Sequence, residues 1–95
     1  MKGYIVCVYE NISDNSALKK YAAKATEAVQ KYNGKFLIRG GKNITTEGRD
    51  YVRTTVIEFS SFNIAKEFFY SKDYQDAHKL LKQTTIRNHQ IIEGA

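Results

Sequence analysis

The order of strand-like and helix-like runs in this 95-residue chain predicts an α+β domain of β-α-β-β-α-β order, a four-stranded antiparallel sheet with two helices on one face. Three observations carry the prediction. Tyr4–Tyr9 is apolar at every position, as a strand in a sheet covered on both sides would be. Residues 15–32 repeat apolar residues at helical spacing. Tyr51–Phe59 is rich in β-branched residues.

In the first strand, Tyr4, Val6 and Val8 face one way and Ile5, Cys7 and Tyr9 the other, because side chains alternate across a strand. Asn11–Asn15 then clusters turn and cap residues, and Ser13 or Asp14 can accept from the free amides that open a helix. The helix over 15–32 carries Leu18, Tyr21, Ala22, Ala25, Val29 and Tyr32 on one stripe, with lysines off it. Asn33-Gly34 suits a left-handed cap. Lys35–Arg39 is the second strand, and Gly40-Gly41 releases it into a polar loop that runs to Asp50. The third strand spans Tyr51–Phe59. Ser60-Ser61 caps a second helix bearing Ile64, Ala65, Phe68 and Phe69. Ser71-Lys72-Asp73 divides that helix, and its second piece carries Tyr74, Ala77, Leu80 and Leu81. His89–Glu93 is the last strand, closing at Gly94. Right-handed crossovers place both helices on one face of the sheet, the ferredoxin-like arrangement. The other face keeps the apolar side chains of the first strand, with Val52, Thr54 and Val56 of the third. A second copy of the chain, sheet against sheet, is the expected cover.

Composition is that of a globular protein, 42% hydrophobic and 26% charged, in one domain over residues 1–95. The net charge of +5 points either to lysine-rich helix surfaces or to an anionic partner. The basic residues are scattered, with no run and no interleaved aromatic motif, which argues against nucleic acid. No segment approaches the ~20 apolar residues of a membrane span. The apolar run near the N-terminus ends at Glu10 without a small-residue cleavage site, so no signal peptide and a cytoplasmic location are expected. Cys7 is the one cysteine and reads as a small hydrophobe packed mid-strand. Neither a cofactor nor a metal is expected, since no Cys/His ligand spacing occurs.

These residues resemble domain-of-unknown-function family 1330, of the dimeric α/β-barrel superfamily. The resemblance rests on Gly3-Tyr4, Asp14, Tyr21, Tyr32–Gly41, Glu47-Gly48, Val56–Phe59, Ala65, Tyr70-Ser71, Tyr74-Gln75 and Glu93-Gly94, in that order over nearly the whole chain. It departs from the family pattern at Ser60, where the family has Pro, at Phe69, which stands for a Trp or other aromatic, and at Leu81, which stands for an arginine. If that arginine binds a ligand, its role is vacant here or passes to Lys82. The resemblance implies the fold and dimer already expected, and no agreed reaction.

Arg39, just before Gly40 and Gly41, can meet a carboxylate bidentately with backbone amides close by. The alternative is an ion pair with Glu47, Glu58 or Glu93. Tyr4, Tyr9, Phe36, Phe59, Phe68, Phe69 and Tyr70 either wall a pocket for a planar molecule or fill the two cores. The candidate ligand set is Arg39, Gly40, Gly41, Tyr4 and Tyr70. Arg53 and Glu58 differ in strand parity and point to opposite faces. Glu58 at a cavity mouth could move a proton, as could His78, expected near the polar side of its helix, or His89 at the start of the last strand. A haem role would need an axial ligand that is not identifiable. The expected function is binding of a small organic molecule, a carboxylate among the candidates, in a pocket between sheet and helices. The alternatives are a cofactor-independent isomerase or monooxygenase-like enzyme, and a structural or assembly protein without a ligand. Arg39 with a histidine or acid in the pocket would favour the enzyme, apolar walls binding, and a filled core assembly.

Overall fold

The computed structural model describes residues 1–95. It contains β1 (Gly3–Ile12), α1 (Asn15–Lys31), β2 (Lys35–Arg39), β3 (Arg53–Phe59), α2 (Phe62–Tyr70), α3 (Lys72–His78), a single 3-10 turn over Lys79–Leu81, and β4 (Thr85–Glu93). The sheet order is β2-β3-β1-β4 with every pair antiparallel. The helices cover one face, giving the two-layer ferredoxin-like α+β fold expected.

Local chemistry sets the boundaries. The Asp14 carboxylate accepts from the amides of Ser16 and Ala17 and starts α1. Asn33 takes the left-handed conformation (φ 56°) that ends the helix, a position Asn tolerates. Gly34 is needed for space: a Cβ there would meet the Phe59 ring at 2.7 Å. The Ser61 hydroxyl accepts from Ile64 N–H to open α2, and the Ser71 hydroxyl accepts from Tyr74 N–H to open α3. Ser71 thus divides the second helical segment where its polar run suggests.

Two boundaries differ from expectation. β3 begins at Arg53, with Tyr51 and Val52 ahead of it. β4 begins at Thr85, so His89 lies in mid-strand and Arg87 joins the sheet. The Thr85–Asn88 half has Ile86 as its one apolar residue and no apolar run to announce it. It becomes a strand by pairing with Tyr9, Asn11 and Ile12 of β1.

Ile5, Cys7 and Tyr9 of β1, with Thr55, Ile57 and Phe59 of β3, point to the helices and are buried. Phe68 packs between Phe59 and Tyr74, at centroid distances of 5.0 and 4.8 Å. Cys7 is 1% exposed. The opposite face carries Val6 and Val8, with Val56 paired to Val6 and Ile38 to Val56. On this face Ile38, Ile86 and Ile92 are exposed.

Candidate functional site

Beside this core, a small cavity of about 30 Å³ lies between the sheet and α1, with walls from all four strands and helices α1, α2 and α3. Its floor and sides are aromatic: Tyr9, Tyr21, Phe36, Phe68 and Tyr74. Three arginines, Arg39, Arg53 and Arg87, enter it from β2, β3 and β4.

Each arginine has a local reason to be there. Two β-bulges flank the site. The one near Leu37 lets Phe36 pair with Ile57 and Arg39 with Thr55, so Phe36 and Arg39, three residues apart, share the helix-side face. The Arg39 guanidinium lies 4.2 Å from the Phe36 ring centroid and donates to the Thr26 hydroxyl. The bulge near Glu10 follows the Tyr9–Arg87 pair. Tyr9 lies within reach of two guanidiniums, 5.8 Å from Arg53 and 5.7 Å from Arg87. Gly40 (φ 69°) touches the Arg53 guanidinium, and a side chain there would collide with it.

Electrostatically the site is a cationic pocket without an anion. No Asp or Glu makes a salt bridge with any of the three arginines. Arg53 Nε is buried with no hydrogen-bond partner. Arg87 donates through Nη1 to the Tyr21 hydroxyl (3.2 Å) and, at longer range, to Tyr9 and Cys7 Sγ. Its Nη2 donates to the Tyr74 hydroxyl (2.7 Å), which also hydrogen-bonds the Tyr21 hydroxyl (2.8 Å). All these partners are neutral at pH 7. Burial pushes the Cys7, Tyr21 and Tyr74 groups above their ordinary values, and Tyr9 up to about 12. Burial works against the Arg87 charge, but the hydrogen bond to the Tyr74 hydroxyl favours it, and the guanidinium stays protonated. His89, packed against Phe69 at 5.1 Å, is pushed down to about 3 by burial, with the Arg87 and His78 charges adding to it. It is therefore neutral, and no hydrogen bond within the protein engages its ring. A largely buried cation facing only neutral dipoles has no opposite charge to offset its desolvation. The donors that converge here are N–H and O–H groups, which suit an anion; nowhere do three His, Cys, Asp or Glu side chains gather as metal ligands.

Of the residues singled out from sequence, Arg39, His89 and the aromatics Tyr9, Phe36 and Phe68 line this cavity, and Gly40 supports it through Arg53. Arg39 has no carboxylate partner, so the ion pair with Glu47, Glu58 or Glu93 is not what holds it. Gly41 has open space around it. Tyr4 and Glu58 are on the opposite sheet face, where the Tyr4 hydroxyl donates to Glu58 at 3.0 Å. Strand parity puts them there, so Glu58 is not at the cavity mouth. Tyr70 is 70% exposed at the end of α2. His78 is half-buried rather than on a polar face, stacked on Tyr74 at 5.9 Å, and burial and Arg87 depress its proton affinity. Leu81, in the turn after α3, is core, so the arginine expected there is not replaced in place; Lys82 is exposed outside the cavity, and Arg87 is the cation that enters it from this end. Arg53 was visible in the sequence only as a strand residue, and Arg87 and the Tyr21–Tyr74 pair not as site residues at all. Their one sequence signal is the odd numbering that Arg53 shares with the buried residues Thr55, Ile57 and Phe59.

The profile of a family described as domain of unknown function (DUF1330) matches residues 2–95. No curated protein is detectably similar. Among solved structures, a dimeric ferredoxin-like protein of unknown function from Jannaschia sp. CCS1 is similar at TM-score 0.79 and 11% identity, over 99% of this chain and 100% of that one. RPA0582, a protein of unknown function from Rhodopseudomonas palustris, is similar at TM-score 0.76 and 12% identity, over 99% and 82%. SnoaB, a cofactor-independent oxygenase from Streptomyces nogalater, is similar at TM-score 0.69 and 7% identity, over 99% and 93%. At these identities the likeness concerns the fold.

Proposed function

The chain belongs to the family of domain of unknown function DUF1330, and from that premise we propose that it is a small homodimeric protein that binds a carboxylate in the arginine-lined cavity between sheet and helices. One observation carries the ligand class: Arg39, Arg53 and Arg87 meet in one cavity without a single acidic partner, and Arg53 Nε is buried unpaired. A carboxylate offers two oxygens able to accept from such forks, and returns the electrostatic compensation that the fold omits. Calorimetric titration with a panel of short carboxylates tests this. Binding to the wild type and its loss in Arg53→Met and Arg87→Met are expected. A wild type that binds none of the panel would overturn it.

His89 favours a second reading of the same site, as a cofactor-independent isomerase or oxygenase. The His89 imidazole is neutral and has no protein partner. A bound carboxylate that offsets the Arg87 charge would restore proton affinity that this charge depresses, so that His89 can take a proton from a bound carbon acid beside cations able to hold an enolate. His89→Gln should then abolish turnover and leave binding of the carboxylate intact. The dimer would form through the open sheet face, where Val6, Val8, Val56 and Ile38 make an apolar band. The similar Jannaschia protein is a dimer, which supports self-association but does not bear on the face used.

A further inference from the structure

We propose that the ligand is a dianion, with one acidic group in the arginine cavity and a second in an adjoining basic groove; this rests on the carboxylate reading above. A cavity of about 30 Å³ takes a headgroup and little more. The rest of any organic ligand must lie outside it. Next to it is an open groove of about 350 Å³, formed where the end of α3 and the Lys79–Leu81 turn pass over the start of β4. Arg87 is the one residue that lines both spaces.

The groove is unsuited to a hydrocarbon tail. Leu81 is its single apolar lining residue, and the others are His78, Lys79, Lys82, Gln83, Thr85 and Arg87. No carboxylate lines it. Lys79 has a loose contact with Asp76, 3.7 Å and exposed, and Lys82 has no ion pair. Gln83, between Lys82 and Thr84, holds a left-handed backbone (φ 66°), a conformation costly for a residue with a side chain. That strained turn carries Lys82 to the groove. Arg87 Nε and one Nη2 hydrogen have no acceptor in the protein, so this guanidinium has donors left for a ligand passing between the two spaces. Anionic groups on either side of Arg87 would match this charge distribution. A carboxylate and a phosphoryl group both fit as the outer group, since both accept from lysine.

The test is calorimetric titration of the wild type and of the Lys79→Ala/Lys82→Ala double variant. The probes are succinate, glutarate and adipate, each against the monocarboxylate of equal carbon count, and 3-phosphonopropionate against propionate. Both lysines are exposed, so the double variant should fold normally. One of the dianions should bind the wild type about fivefold or more tightly than its monoanion, the scale of two exposed ion pairs. That preference should shrink with added salt and vanish in the double variant, with monoanion affinity nearly unchanged. The better of the dicarboxylate and phosphonate arms identifies the outer group. Equal binding of mono- and dianions, or a preference that survives loss of both lysines, overturns the dianion proposal and leaves the carboxylate site standing. A wild type that binds no probe overturns both.

Discussion

Arg53 pays for its place in the cavity with an unmet hydrogen bond, and that makes it the most informative single residue. A buried donor without an acceptor costs about 1–3 kcal/mol. Arg53→Met keeps the length and apolar stem, removes the orphaned Nε, and should raise the unfolding free energy by about 1 kcal/mol while carboxylate binding disappears. Chemical denaturation and titration on the same sample check this; a destabilised variant would show that Arg53 has a structural partner. His89 makes the corresponding pH statement. Its folded value is near 3 and its unfolded value near 6.5, so below pH 6.5 the unfolded chain binds a proton that the folded chain does not. Its contribution to stability is therefore complete above pH 6.5 and declines as the pH falls toward 3, with a slope on the order of 1 kcal/mol per pH unit. His89→Gln should flatten that acid limb in melts recorded between pH 4 and 7. Cys7, almost wholly buried with its thiol pushed up by burial, should react with thiol reagents only after unfolding.

At the scale of elements, the site depends on how strand ends meet. The bulge near Leu37 and the left-handed Gly40 end β2 so that Arg39 and Arg53 lie side by side. Gly40→Ala would force a Cβ into the Arg53 guanidinium and strain a positive φ. It should cost about 1–2 kcal/mol of stability and lower carboxylate affinity together, because Arg53 must turn away. Loss of stability alone, measured by melting and titration, would show that Arg53 reaches the cavity by another route. Gly3 plays a different part at the other end of the sheet. A Cβ there would lie 2.6 Å from Phe62 Cα, so β1 and the start of α2 pack backbone to backbone.

For the whole molecule, the question is what covers the open sheet face. Domains of this size bury only roughly 60–65% of their unfolded surface, and association adds to that. With Ile38, Ile86 and Ile92 at 47%, 57% and 48% exposure, a sheet-to-sheet dimer is expected. Sedimentation at micromolar concentration should give twice the chain mass. Val6→Asp places a charge at the centre of that face, should yield monomers, and should leave the arginine cavity intact on the other side of the sheet. A wild type that sediments as a monomer would remove the dimer.

The order of the elements along the chain, the helix caps at Ser13-Asp14 and Ser60-Ser61 and the break at Ser71 were all determined by the sequence, because periodicity and capping hydrogen bonds are local effects. The same is true of the opposed faces of Arg53 and Glu58, which follow from parity within one strand. The site was legible in Arg39, Gly40 and His89 and, among its aromatic walls, in Tyr9, Phe36 and Phe68. Tyr21 and Tyr74 read as helix stripe because a hydroxyl at the edge of a core looks like any core aromatic until its partner, 53 positions away, is known. Arg87 lay in a polar stretch that becomes a strand only by pairing with β1. Tyr4 and Tyr70 were placed near a ligand on residue type, and the sheet face and the helix end carried them elsewhere. Tertiary structure alone decided which cations converge and that no acid accompanies them, because the charge balance of a cavity is a sum over side chains from different strands, and no single stretch of chain contains it.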